Sequence, residues 1–412
     1  MKKILQFKLK LLAKLYLWRY KPIVVGITGS VGKTSAKDAI GLALLDQMRV
    51  RISAKSYNNQ IGLPLTILGF NTPGKNIFGW LALLLKAFGR IFYDANWPQV
   101  LVLEMGADRM GDLKYLTSIV KPNISVITNV APAHLQAFKD LASVAKEKSV
   151  LVSSLKTNDW AIMNNDDQLV RAMANQTKAK KIFYSLKSGT DIWASDLKFS
   201  EKNLIFNLHS DNQVYPLQLK SSGEHLVYPI LMAFSVAQIL KLDPKTTVAN
   251  LTRFQALNGR GRFLEGKNNN LIIDETYNAS PLSMAAALKF LKQIETVKNK
   301  VAILGDMREL GEQSLPLHQA LVSQLDFVDQ IILVGPEIKP VFEILKNKPN
   351  VFYFSDVEVL NKNLEQLIKA NNLILVKGSQ AIRLEKTVEK LITSSYNKKE
   401  VLVRQSEEWQ GK

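Results

Sequence analysis

The chain contains no cysteine. Disulfides, zinc ribbons and thiol nucleophiles are therefore excluded, and a secreted disulfide scaffold is untenable. Histidine is scarce, with four in 412 residues, so any metal must be held by oxygen ligands or by those few imidazoles. No stretch reaches the ~18 uninterrupted apolar residues of a membrane span. Acidic residues are outnumbered by basic ones, 36 to 54, which leaves a net charge of +18. Such a balance suits nucleic acid, a membrane surface or anionic small molecules. There is no RNP pattern, no zinc-finger spacing and no interleaving of arginine with stacking aromatics, so specific nucleic-acid binding is not expected. Phosphorylated small molecules fit the charge better. No internal repeat or long low-complexity run is present.

The length favours two or three domains, and 47% hydrophobic residues is ordinary for a globular chain. The opening "MKKILQFKLKLLAKLYLWRY" scatters basic residues throughout and lacks a small-residue cleavage site, so it does not read as a signal peptide. It reads as a basic amphipathic helix over residues 1–21. Lys3, Lys10, Lys14 and Lys21 share one helical face, and Leu5, Leu9, Leu12 and Trp18 fall largely away from it. Such a helix either lies peripherally on an anionic membrane or packs on the domain that follows. Residues 76–92, "NIFGWLALLLKAFGRIF", raise the same question; with Lys86 and Arg90 interrupting the run, they read as a buried helix rather than a membrane anchor. The expected location is the cytoplasm, at the inner face of the membrane if the first helix touches it, and a monomer is expected.

From residue 22 apolar strands alternate with helical stretches: "PIVVGI", "QVLVLEMG" (99–106), "NISVITNV" (123–130) and "DWAIMNND" (159–166). This rhythm predicts a parallel sheet covered on both faces. Shorter alternating runs over 191–220 predict an antiparallel patch added to that sheet, followed by a helix at about 225–240. "LNGRGRFLEG" (257–266) reads as a hinge. Beyond it, "NLIIDETYNAS", "KVAILGDM", "QIILVGP", "NVFYF" and "NLILVKGS" form a second strand–helix series. The expected fold class is α/β: a central doubly wound sheet of P-loop ATPase type over 22–256, and a Rossmann-like α/β domain over 257–412.

Residues 26–35, "GITGSVGKTS", sit between a strand and a helix. The spacing G-x-x-x-x-G-K-[ST] would place a glycine at position 27, where the chain has Ile27. The core G-x-x-G-K-T is nonetheless intact. Backbone N–H groups from Gly29 to Lys33 can point at phosphate oxygens at the helix N-terminus. Lys33 can reach the outer phosphates, and Thr34 offers a hydroxyl to Mg²⁺. Ligands of open α/β sheets sit beyond the carboxyl ends of strands. Glu104 ends "VLVLE" and is placed to hold magnesium. Asn129 and His134 stand at the same edge, at and just beyond the end of "VITNV"; a lone histidine is usually structural, but its place beside Glu104 and Lys33 makes the metal-ligand reading equally open.

"TGSVGKT" (28–34), "YNNQIGLPLTIL" (57–68), "LEMGADRMGDLKYL" (103–116) and "ITNVAPAHL" (127–135) resemble the Mur ligase family of ATP-dependent amide-bond ligases. That family's loop is T-G-x-x-G-K-[ST], which accounts for the unusual spacing. "IIDETYNASPLSM" (272–284), "LGDMRELGEQS" (304–314) and "LVKGSQAIRLE" (375–385) resemble the branch that adds D-Ala-D-Ala to a UDP-N-acetylmuramoyl tripeptide. The resemblance spans roughly residues 22–395. It implies ATP and Mg²⁺ as cofactors, with these two small molecules as substrates. Thr28, Gly29, Ser30, Val31, Gly32, Lys33, Thr34 and Ser35 would form the phosphate loop. Asn129, Arg260, Asp274 and Asn278 would also reach the nucleotide, with Arg262 competing for the role of Arg260. Thr34, Glu104, His134 and Lys148 would hold the metal, Lys148 after carbamylation. Lys33, Lys148 and His134 would be catalytic, and Asn58 and Asn59 would belong to the substrate loop. The implied reaction passes through an acyl phosphate.

Three departures from the family pattern stand out. Members usually begin with a domain that grips the uridine nucleotide, whereas only about 21 residues precede the first strand, so that domain is expected to be absent. Ser149-Val150 follows Lys148 where Lys-x-Glu is frequent, and Leu226 and Pro229 replace common asparagines. Two competing readings remain: a related ligase acting on a folate or an amino-acid polymer, and a non-catalytic nucleotide-binding protein docking on a membrane or partner.

Overall fold

The computed structural model describes residues 2–53, 57–132, 135–200, 203–220, 223–296, 298–405 and 409. The chain opens with a helix, α1 (Lys2–Tyr20), and then forms nine strands of one sheet. These are β1 (Ile23–Thr28), β2 (Val50–Ile52), β3 (Val100–Glu104), β4 (Ile124–Ile127), β5 (Trp160–Asn164), β6 (Lys180–Ser185), β7 (Ile192–Phe199), β8 (Leu204–Ser210) and β9 (Gln213–Leu219). Their order is β2-β3-β1-β4-β5-β6-β7-β8-β9. Pairing is parallel from β2 through β7, and β7-β8-β9 is the antiparallel patch. β1 is buried on both faces because its neighbours are covered by helices on both sides. Val25 and Ile27 enter one core, and Val24 enters the other. The short β2 and the polar-flanked β6 are strands that the apolar pattern of the chain did not predict.

A second sheet contains β10 (Arg262–Glu265), β11 (Leu271–Glu275), β12 (Asn299–Gly305), β13 (Gln330–Val334), β14 (Val351–Phe354) and β15 (Asn372–Lys377). Its order is β10-β11-β15-β12-β13-β14, parallel except for β10. It has its own core on each face. The two mainly parallel sheets bear out the α/β expectation. They meet through specific contacts. The Gln136 amide donates to the Glu309 carbonyl at 3.2 Å, and Lys289 pairs with Glu224 at 2.9 Å.

Helix α1 follows one of its two expected readings, and the helix over 77–92 differs from expectation. In α1 the buried side chains are Leu9, Ala13 and Tyr16, so this helix packs on the domain. It rests on α3 (Gly62–Leu68) and α4 (Ile77–Phe92); α2 is Lys33–Ala43. The Tyr16 hydroxyl donates to Asp94 at 2.6 Å, and Arg51 pairs with the same carboxylate at 2.9 Å. Trp18, however, is exposed, and so are Ile4, Phe7, Leu11 and Leu15. The face opposite the core is therefore apolar, with lysines at its margins. Helix α4 buries only Leu83 and Ala87 and is not a core helix: its other apolar face is open to solvent. No helix among the described residues is long and apolar enough to cross a membrane.

Candidate active site

The register of the first sheet builds the site. Ile27 pairs with Glu104 across β1–β3, and Thr28 pairs with Ile127 across β1–β4. The chain segments after β1, β3 and β4 therefore emerge side by side. After β1 the backbone turns at Gly29 with φ 148°, and a Cβ there would lie 1.8 Å from Thr128 Oγ1. Only glycine fits. Gly32, at φ 85°, then caps α2.

The loop is braced from the segment after β4. Ser30 N–H donates to the Asn129 carbonyl at 2.9 Å, and Val31 N–H donates to Asn129 Oδ1 at 2.9 Å. Thr128 Oγ1 donates to the Val31 carbonyl at 2.6 Å. Two N–H groups that the sequence assigned to phosphate are thus engaged by Asn129, which acts as a brace. The N–H groups of Lys33, Thr34 and Ser35 open α2, where no intrahelical acceptor exists, and with the helix dipole they form an anion site. Lys33 folds back, its ammonium donating to the carbonyls of Gly29 (2.7 Å) and Ser30 (3.1 Å). Burial pulls its pKa below the usual lysine value, against the opposing pull of Glu104.

Thr34 Oγ1 donates to Glu104 Oε2 at 3.1 Å, and Asn58 Nδ2 donates to Glu104 Oε1 at 3.2 Å. Arg260, from the segment before β10, reaches Thr34 Oγ1 at 3.4 Å, with its guanidinium 3.9 Å above the Tyr277 ring. The second sheet's connection thus touches the loop of the first. Arg262, the competitor, turns instead to Asn258 at 2.6 Å.

Lys148 lies on the helix after β4 (Leu141–Ser153) and is buried. Burial chiefly, and the Lys33 charge secondarily, pull its pKa down to about 7. Neighbouring Glu147 accepts from the N–H groups of Gly111 (2.8 Å) and Leu113 (2.6 Å), where the helix Asp112–Ile119 begins.

A cleft of about 720 Å³ between the two sheets collects most of the expected residues: Gly29 to Ser35, Asn58, Glu104, Asn129, Lys148, Arg260 and Asn278. That volume suits a nucleotide-sized ligand. Three expected residues lie outside its lining. Thr28 is wholly buried at the end of β1. Asn59 is spent on the N–H groups of Ile61 (3.1 Å) and Gly62 (3.0 Å) at the start of α3. Asp274 is buried and accepts from Gly259 N–H (3.1 Å), Thr276 N–H (3.1 Å) and the Thr276 hydroxyl (2.6 Å). It holds the Gly259 loop that precedes β10 rather than facing the cleft, and burial raises its pKa to about 6. His134 lies outside the described residues.

The sequence reading missed several cleft residues. Buried Lys377 donates to Glu275 (3.1 Å) and to the Asn278 carbonyl (3.0 Å), and His225 stands 3.8 Å from the same Glu275. Lys377 lies in the quoted "LVKGS" and could have been singled out as a cation ending a strand. His225 carried no local signal. The Thr34 hydroxyl and Glu104 carboxylate are hard oxygen donors, which fits magnesium.

The Mur ligase middle domain matches residues 27–237, and the Mur ligase glutamate ligase domain matches residues 259–380. The chain is 30% identical over 371 residues to the UDP-N-acetylmuramoyl-tripeptide--D-alanyl-D-alanine ligase of Rickettsia prowazekii, covering 89% of this chain and 77% of that one. It is 29% identical over 395 residues to the enzyme of the same name from Bacillus subtilis, covering 94% and 79%. Among solved structures, MurF of Acinetobacter baumannii superimposes with TM-score 0.80 at 25% identity, over 93% of this chain and 80% of that one. MurF ligase of Thermotoga maritima in complex with ADP gives TM-score 0.79 at 26% identity, over 93% and 83%.

Proposed function

Because this chain belongs to the Mur ligase family, we propose that it is an ATP-dependent amide ligase joining D-Ala-D-Ala to a UDP-N-acetylmuramoyl tripeptide. The observation that carries the reading is the convergence of Lys33, Thr34, Glu104, Lys148 and Arg260 on one cleft between the two sheets. The names of the relatives supply the substrate pair. Cytoplasmic location and a monomeric state accompany this reading.

The reaction begins with attack of the tripeptide carboxylate on the γ-phosphate of ATP. An O–P bond forms to the acceptor, the bond to ADP breaks, and an acyl phosphate results. The dipeptide amine then attacks the acyl carbon and loses a proton; a C–N bond forms, the C–O bond to phosphate breaks, and phosphate leaves with that electron pair. The first step joins anions, so it depends on positioning and charge neutralisation. The α2 N-terminus receives the phosphates, and Lys33 swings from the Gly29 and Ser30 carbonyls to the outer ones. Thr34 and Glu104 would hold Mg²⁺, which would supply charge neutralisation at the phosphates. Arg260 brings a fixed guanidinium to the same point, oriented by the Tyr277 face.

Lys148 suits carbamylation. A lysine titrating near 7 is substantially neutral at neutral pH, and only the neutral amine attacks CO₂. The new N–C bond and lost proton would turn the buried amine into an oxygen anion in the cleft that Thr34 and Glu104 also line. Closure of the second sheet's body over the cleft would shield the acyl phosphate from water.

Hydroxylamine trapping tests this chemistry. With ATP and the tripeptide acceptor but no dipeptide, the protein is expected to yield the acceptor hydroxamate, and Lys33→Ala should yield none. Absence of hydroxamate from an ATP-binding protein would refute the reading.

A further inference from the structure

We propose that α1 and α4 together form a docking face for an anionic lipid membrane, on which the protein lies without spanning it. The proposal stands apart from the ligase reading and uses none of its residues.

The first observation is where apolar surface is left in water. Twelve of the twenty large hydrophobic side chains exposed among the described residues belong to α1, α4 and the residue that ends α4. On α1 they are Ile4, Phe7, Leu11, Leu15 and Trp18, spaced by three and four residues, and so form one continuous stripe. On α4, Phe78, Leu81, Leu85, Phe88 and Phe92 repeat the same spacing. Trp18 is 73% exposed and Phe78 is 83% exposed. Each helix buries a different face: Leu9, Ala13 and Tyr16 in α1, Leu83 and Ala87 in α4. Folding therefore does not need the outer stripes. The two helices pack side by side, joined by the Tyr20 hydroxyl donating to the Arg90 carbonyl at 3.1 Å. Soluble monomers rarely leave so much apolar surface in one place.

Charge identifies the occupant. Neither helix contains an aspartate or glutamate. On α1, helical geometry sets Lys8 and Arg19 along one margin of the stripe and Lys3 and Lys14 along the other, all four exposed. On α4 the exposed Lys86 stands beside its stripe. An apolar strip between cationic margins matches a bilayer with acidic headgroups, whose acyl boundary takes the stripe and whose phosphates meet the lysines. The aromatic content, Phe7, Trp18, Phe78, Phe88 and Phe92, favours the same interfacial zone. A second copy is a poorer occupant, because pairing this face with itself would bring cationic margins together. Neither helix can span a bilayer.

Vesicle flotation with the full chain tests the proposal. Vesicles of phosphatidylcholine with phosphatidylglycerol should carry the protein up the gradient, and pure phosphatidylcholine should carry far less. Phe7→Glu with Leu11→Glu, and separately Phe78→Glu with Leu85→Glu, should each lower partitioning roughly tenfold or more. Melting temperature and nucleotide affinity should not change, because these side chains touch neither core nor cleft. Absence of flotation would overturn the proposal. So would flotation that both double variants retain, which would assign binding to diffuse positive charge. Concentration-dependent dimers that the double variants abolish would assign the face to a second copy and overturn it as well.

Discussion

Lys148 concentrates the chemical content of the site in one side chain. If its amine carries CO₂ as proposed, Lys148→Ala should lose roughly 10²-fold or more of turnover, and a short carboxylate such as formate should restore part of it. Wild-type activity should fall when dissolved CO₂ is stripped; full activity of Lys148→Ala under those conditions would exclude the carbamate. Asp274 makes a different prediction. Its folded pKa of about 6 lies above the unfolded value of ~4. Between these the native state holds a proton that the unfolded chain releases, so stability falls as pH rises through that window. Asp274→Asn should flatten this dependence in urea titrations. It should also cost ~1–3 kcal/mol by facing Gly259 N–H with an amide donor or an imperfect acceptor. Lys33, Thr34 and Glu104 were legible in the sequence because each is fixed by a strand end or a helix start. Asp274 also ends a strand, but a carboxylate there can face ligand or brace a loop. Only the return of Gly259 to it shows which.

Among the elements, α1 shows what periodicity conveys and what it hides. Its basic margin was legible, and so was its helical state. Its orientation was not, because apolar residues occupy two opposite faces and each alone satisfies a helical repeat. The structure separates them. Leu9→Ala should cost ~2–5 kcal/mol as a core truncation, while Leu11→Ala should stay within ~0.5 kcal/mol. Thermal or urea unfolding of the two variants checks this; equal losses would show that both faces are buried. The same ambiguity hid the open face of α4, whose run of leucine and phenylalanine reads as core in one dimension. Among strands, β2 has three residues and β6 begins with two lysines, so neither presents the apolar run that marked β1, β3 and β4.

The molecule as a whole is two α/β bodies whose contact completes the cleft. The alternation of strands and helices and the antiparallel patch were legible because each is a local pattern, whereas residues 262–265 of the expected hinge form β10. The docking of the bodies was not legible, because Gln136–Glu309 and Arg260–Thr34 join segments far apart in the chain. That docking has a functional consequence. Arg260→Ala should lower turnover roughly 10²-fold while leaving the protein folded, since the guanidinium acts across the cleft and not within either core. The central claim is that this cleft couples ATP cleavage to amide formation between two particular substrates. The direct measurement is phosphate release from ATP with UDP-N-acetylmuramoyl tripeptide, with and without D-Ala-D-Ala, and the mass of the product. Sustained release that requires both, with a product heavier by the dipeptide less one water, is the predicted result. Release indifferent to the dipeptide, or none at all while ATP still binds, would contradict it.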